Sequence, residues 1–299
     1  MTPSENLTIK ATHLFLYYKD LAGAQNFYEQ ILGFKRVLDY GFATIHQISP
    51  TTYIGLVDEA RGMHKATEPK TVTLSTITEE IDEWYQYLNI KGVKMRHRLD
   101  DAIRHPTRGF VAYDPEGYFL EFETFLQQGQ NDKLRFQLGK TKANYPEKDQ
   151  KTTRPAKLGV QGNIIWLYYK DLAAAQQFYE GIMGFRLLTD QGFAKIYFSS
   201  DTGFIGLVDE AQGLHRFSEG KSVTVSFFTD DVQGWFSHIK NEGVKLHTPS
   251  IVIESEAVEN FVAYDVGGYY LEFDQFLDHE LNQDILSTLK KMEVNLSNI

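Results

Sequence analysis

Apolar and polar positions alternate with a period of two from Tyr118 to Glu123: Tyr118, Leu120 and Phe122 share one side of an extended chain, and Phe119, Glu121 and Glu123 the other. The run before it is apolar too, and Asp114-Pro115-Glu116-Gly117 between them has turn chemistry. The stretch therefore predicts a hairpin whose second strand carries a carboxylate on one face. FVAYDPEGYFLEFETF, Phe110 to Phe125, returns as FVAYDVGGYYLEFDQF at Phe261 to Phe276, with Glu272 in the place of Glu121. A carboxylate in an apolar strand must be exposed, paired or liganding.

Upstream, Thr12 to Tyr18 alternates and is rich in aromatics, as a strand does. Asp20 is placed to cap a helix in which Leu21, Ala24, Phe27 and Ile31 fall at helical spacing, and Gly33 stops it. Short strands follow at Phe34 to Leu38, Phe42 to Ile48 and Tyr53 to Val57. A charged loop then leads to a strand at Thr71 to Ile77 and a second helix, with Ile81, Trp84, Tyr85 and Leu88 as its buried stripe. Val93 to Arg98, Gly109 to Tyr113 and Tyr118 to Glu123 complete three more strands, so the unit βαβββ is written twice.

The whole pattern recurs at an offset of 151: Leu16 to Leu21 matches Leu167 to Leu172, Ile54 to Ala60 matches Ile205 to Ala211, and Trp84 matches Trp235. About 115 residues align without a gap, the length of a domain rather than of a solenoid repeat. The expected fold class is α+β, with two tandem domains, 8–126 and 160–277, each a pair of βαβββ units forming a curled mixed sheet around a cavity. Residues 127–159 are polar and interrupt the repeat, which reads as a linker folding over a surface. Residues 278–299 are expected to form a helical tail, with Leu281, Ile285 and Leu289 at amphipathic spacing.

Composition narrows the function classes. A net charge of -10 argues against a nucleic-acid partner, since phosphate binding rests on Lys and Arg. With no cysteine, thiolate metal sites and cysteine nucleophiles are excluded, and a metal must use His, Asp or Glu. No apolar run is long enough to span a bilayer, and the first residues lack a basic start followed by an apolar core, so a cytoplasmic protein without a membrane partner is expected. His13 lies on the first strand and is private to the first repeat, as are His97 and His105, whereas His64 and His215 recur in matching loops. The recurring pair suits loop structure or substrate contact better than metal binding.

His13 to Asp20, Phe27-Tyr28, Leu32-Gly33-Phe34 and Asp114 to Gly117 with Glu121 on the next strand resemble the vicinal oxygen chelate family, as do Asp171, Phe178-Tyr179, Met183-Gly184-Phe185, Gly267-Gly268 and Glu272. That family includes glyoxalase I, bleomycin-resistance proteins, fosfomycin-resistance enzymes and extradiol dioxygenases. The resemblance implies a cavity in each domain, with metal ligands drawn from the first, fourth, fifth and eighth strands. In the first domain those places hold His13, Gly55, Thr73 and Glu121. One divalent ion (Zn, Ni, Mn or Fe) is thus expected on His13 and Glu121, with His97 or His105 as third ligand. The second domain offers Ile164, Gly206, Thr224 and Glu272, and no metal is expected there.

By alternation Phe15, Tyr17, Trp166 and Tyr168 face the cavities, with Thr73 and Thr224 beside them as substrate contacts. Glu121 and Glu272 are the candidate catalytic groups, each able to act as a base strengthened by burial. The resemblance implies a small-molecule substrate or ligand and three functions. The first is a glyoxalase-like lyase or isomerase. The second is metal-free ligand binding of the bleomycin-resistance kind, and the third an extradiol ring-cleaving dioxygenase. Whether the domains close on each other or pair with a second chain as a homodimer is left open.

Overall fold

The computed structural model describes residues 7–99 and 106–296, with side chains up to residue 290. The first unit comprises β1 (Ala11–Tyr18), α1 (Leu21–Asn26), β2 (Lys35–Asp39), β3 (Ala43–Ser49) and β4 (Thr52–Asp58). The second comprises β5 (Val72–Ile77), α2 (Ile81–Ile90), β6 (Met95–His97), β7 (Thr107–Tyr113) and β8 (Phe119–Phe125), followed by α3 (Asp132–Leu138). The third holds β9 (Gly162–Tyr169), α4 (Leu172–Gln177), β10 (Arg186–Asp190), β11 (Ala194–Ser200) and β12 (Gly203–Asp209). The fourth holds β13 (Val223–Phe228), α5 (Val232–Asn241), β14 (Val252–Glu254), β15 (Val258–Tyr264) and β16 (Tyr270–Phe276), followed by α6 (Gln283–Leu296). Asp20 caps α1 as expected, its carboxylate accepting the Gly23 N–H at 2.9 Å, and Asp171 does the same for Ala174.

The α+β class holds, as two eight-stranded curled mixed sheets, each made of two βαβββ units. Their composition departs from expectation. The first sheet runs β14-β15-β16-β13-β1-β4-β3-β2 and the second β10-β11-β12-β9-β5-β8-β7-β6. The first unit thus shares a sheet with the fourth, and the second with the third. The joints are antiparallel: β1 lies against β13 with His13 opposite Ser226, and β5 against β9 with Ser75 opposite Ile164. The repeat could not reveal this exchange, because β5 and β13 are interchangeable strands of similar pattern and β1 could pair with either.

The outer faces of both sheets and the helices share one continuous core, including Leu14, Leu16, Trp84, Leu167, Trp235 and Phe273, all at or near zero exposure. Where the two repeats meet, a buried seam of hydroxyls replaces apolar contact. The Thr51 N–H donates to Thr202 Oγ1 at 2.9 Å, and the Thr202 N–H donates to Thr51 Oγ1 at 2.7 Å. Each residue bonds the copy of itself 151 positions away, as a two-fold relation between repeats requires. Thr12 with Ser199 and Ser200, and Thr52 with Asn163, extend the seam.

The repeat also runs further than its composition suggests. Within the stretch expected to be a linker, Asn131 donates its amide to the Pro106 and Leu126 carbonyls, and Asn282 donates to the matching Ala257 and Leu277. These bonds turn the chain into α3 and α6, which bury Leu134 against the second sheet and Ile285 against the first. Only Asn131, Leu134 and Leu138 persist as Asn282, Ile285 and Leu289, too little to stand out among changed polar residues. Beyond α3 the chain does fold over a surface: buried Arg154 donates to the Leu158 and Asn144 carbonyls and lies 5.0 Å over the Trp84 ring.

Replacing Thr51 or Thr202 by valine leaves the other residue's buried N–H without an acceptor. Each change is expected to cost about 1–3 kcal/mol in urea unfolding, and the two costs should match. Unequal losses would break the two-fold reading of the seam.

Candidate functional site

The concave face of the first sheet encloses a cavity of about 250 Å³. Phe15, Tyr17, Phe42 and Phe276 give it aromatic walls, and Glu254, Glu272 and Asp274 give it an acidic side. Alternation along β16 turns Leu271 and Phe273 into the core and Glu272, Asp274 and Phe276 towards the cavity. The hairpin before it fixes that register. Asp265 Oδ1 accepts the Gly267 and Tyr269 N–H groups, and Gly268 sits at φ +80°, a left-handed turn position that glycine takes without strain.

Ser226 on β13 stands opposite Glu272 in the parallel register, and its hydroxyl donates to the Asp274 carboxylate. Glu272 is buried and makes no hydrogen bond among the described residues. Burial, then the neighbouring Asp274 and Glu254, hold its carboxyl well above the ordinary range. Asp274 is pushed up to about 7, mainly by burial, against the pull of the Ser226 hydrogen bond. Two adjacent acids that resist ionisation titrate as a pair and retain a proton near neutrality. Tyr17 closes one flank: its hydroxyl lies 2.7 Å from Thr224 Oγ1.

The second sheet repeats the chemistry with a different filling. Ser75 donates to Glu123, whose carboxyl burial raises to about 7, and part-buried Glu121 beside it is raised further by burial and by Glu123. The Tyr168 hydroxyl lies 2.8 Å from Thr73 Oγ1. Trp166 replaces Phe15 and is nearly fully buried, its indole close enough to both carboxylates to ease their ionisation while making no hydrogen bond to either. Gly206 makes room for it, since an added Cβ would come within 2.0 Å of the indole ring. His215 stacks on Phe119 at 4.2 Å, with the Arg96 guanidinium 4.7 Å from the same ring. Burial, then Arg96, lower His215 to about 4. The matching His64 packs on Tyr270 at 4.4 Å and meets Glu68 at 2.9 Å, so both recurring histidines pack on an aromatic ring of the eighth strand of a repeat.

The expected metal set does not come together. His13 is in the first sheet and Glu121 in the second, because the exchange of units sets His13 in the sheet of Glu272 and Ile164 in that of Glu121. His13 is wholly buried, 4.0 Å from the Phe15 ring and 5.0 Å from that of Phe228, and neither ring nitrogen has a polar partner. Burial holds it well below its usual pKa. His97 is exposed on β6 of the second sheet, and His105 lies outside the described residues. The Thr73 and Thr224 hydroxyls are engaged by tyrosines. Among the described residues no group of three His, Asp or Glu is placed to hold an ion, so the donor set does not fit the family's metal.

The family model of the Glyoxalase/Bleomycin resistance protein/Dioxygenase superfamily matches residues 10–122 and 162–273. The chain belongs to this superfamily. Similar solved structures of the superfamily fold include the "putative dioxygenase" from Bacillus subtilis subsp. subtilis str. 168, at 15% identity over 94% of this chain and 88% of that one, with a TM-score of 0.65. Glyoxalase I from Zea mays is 16% identical over 95% of this chain and 96% of that one, with a TM-score of 0.61. At these identities the likeness is one of fold. Comparison with curated proteins finds no match. No helix among the described residues is long and apolar enough to cross a membrane.

Sequence reasoning singled out Glu121 and Glu272 and passed over their partners Glu123, Asp274, Ser75 and Ser226. The signal was present in the two-residue spacing that puts both acids on one strand face. These acids also set a pH dependence. The fold holds protons that unfolded carboxylates, with pKa near 4, would release, so their stabilising contribution is complete below that value and lost as pH rises through about 7. Between pH 5 and 8 the wild-type Tm should therefore fall relative to an E123Q/D274N double variant at constant ionic strength. Parallel curves would mean that the pairs ionise normally in the fold.

Proposed function

We propose that this superfamily member binds a small organic molecule in the first sheet's cavity and transfers a proton to or from it through Glu272, in the manner of a lyase or isomerase and without a divalent ion. The observation that carries this reading is the environment of Glu272: buried, free of hydrogen-bond partners and exposed to the cavity beside an Asp274 that Ser226 holds in place. A carboxylate with raised proton affinity is the stronger base, and a positioned one contributes roughly 10²–10⁴ to proton transfer. Glu272 holds the pair's shared proton more tightly than Asp274, so it acts as base once that proton has moved to Asp274, taking up one from a substrate C–H and returning it to a neighbouring atom. The cavity is smaller than the roughly 300–1,000 Å³ of drug-sized sites, which suits a fragment-sized substrate or the end of a larger one. The ring-cleaving dioxygenase reading has no donor set to rest on among the described residues. Metal-free binding without turnover is the second reading, favoured by the share of aromatic rings in the walls.

Dihydroxyacetone and hydroxyacetone in D2O, followed by NMR, test the proposal as simple carbon acids. Exchange of their α-hydrogens should be catalysed, unaffected by chelator, and reduced about 100-fold or more in Glu272→Gln. Catalysis that survives this substitution, or that is lost to chelator and restored by a divalent ion, would overturn it. Ligand binding with no exchange in the wild type would favour the second reading.

A further inference from the structure

The first sheet's cavity brings together Glu254 on β14 and Glu272 and Asp274 on β16, with Asp274 and Glu254 close enough to raise the proton affinity of Glu272. No salt bridge neutralises any of them among the described residues. Arg61, a basic side chain on the cavity wall, stacks its guanidinium 4.1 Å from the Phe42 ring and forms no salt bridge with these acids. His247, also on the wall, is bonded through Nδ1 to the Tyr264 hydroxyl at 2.8 Å. Glu272 is more than nine-tenths buried, faces the cavity and has no polar partner of its own.

The walls facing these acids are the rings of Phe15, Tyr17, Phe42 and Phe276. Aromatic faces attract positive charge, and carboxylates with no internal counter-charge are stabilised by an external one. An anion would be repelled by the same groups. A neutral apolar ligand would strip water from the acids and give nothing back.

The second sheet provides an internal control. At the place of His247 it has Arg96, which lies over the Phe119 ring, and at the place of Asn260 it has Gly109. Its acids are Glu121 and Glu123 where the first sheet has Glu272 and Asp274, and the Trp166 indole lies close to both. An indole thus stands beside one carboxylate pair, whereas the first sheet has Phe15, with no polar atom, at that place.

We infer that the first cavity recognises an organic cation, an ammonium or guanidinium group on a fragment-sized apolar or aromatic body, with Glu254 and Glu272 binding the charge and the ring faces binding its alkyl surround. This rests on the assignment of that cavity as the ligand site.

The test titrates the full chain with benzyltrimethylammonium, benzyl alcohol and benzoate at low ionic strength, following the methyl resonance of Met63, which lines the cavity. The cation is expected to bind at least about 10-fold more tightly than the alcohol, and benzoate not at all. Glu254→Gln, an exposed substitution, should weaken the cation about 3- to 10-fold and leave the alcohol unchanged. Binding of the alcohol as tightly as the cation would overturn the charge preference while leaving the cavity as the ligand site. Cation binding indifferent to both Glu254→Gln and Glu272→Gln would overturn the role of the carboxylates. If none of the three probes moved the Met63 signal at millimolar concentration, the cavity assignment itself would fall with the inference.

Discussion

The ladder between β1 and β13 is the constraint on which the rest of the molecule depends. It joins the first βαβββ unit to the last, aligns His13 with Ser226, and sets Tyr17 of one repeat against Thr224 of the other. Once that pairing is made, the remaining units close on each other through β5 and β9, and the threonine seam at Thr51 and Thr202 becomes the meeting point of the repeats. The first sheet's cavity then owes one wall to each repeat. The functional question changes accordingly, from what lies near a residue in sequence to what lies across a joint.

Most of the architecture was legible because periodicity is a local property. Strand alternation, helix stripes, the Asp20 and Asp171 caps and the hairpin turns all report on a few adjacent residues. Unit partnership is not local: four similar units satisfy any pairing equally well, so the sequence pattern could not tell whether His13 faced Glu121 or Glu272. The expected metal set failed for that reason, beyond any weakness of Thr73 as a ligand. Helix α3 was missed on other grounds, since two or three buried positions decide it while a run of exposed ones conceals it, whereas its counterpart α6 was read from its amphipathic spacing.

The carboxylate pairs show how the two sheets diverged while keeping one scaffold. Ser75 and Ser226 hold Glu123 and Asp274 in the same way, and Thr73 and Thr224 take the same tyrosine contact. Difference enters at single places: a tryptophan for a phenylalanine at 166, an arginine for a histidine at 96. Burying two acids side by side costs stability wherever the pair is ionised. The structure keeps that cost in both sheets, and relieves part of it with Trp166 in only one.

The exchange of units also bears on how the chain reaches this state. Tyr17 and Thr224 are 207 residues apart, whereas Thr73 and Tyr168 are separated by 95. Closing the longer loop is entropically and kinetically the slower event. During synthesis the middle two units can complete their sheet before the last has left the ribosome, while the first waits with the edge of β1 unpaired until β13 arrives. The amino-terminal unit is thus the segment longest exposed to mispairing, and the buried hydroxyls it carries at Thr12, Ser49 and Thr51 fit that interval, being better tolerated in water than an apolar seam would be.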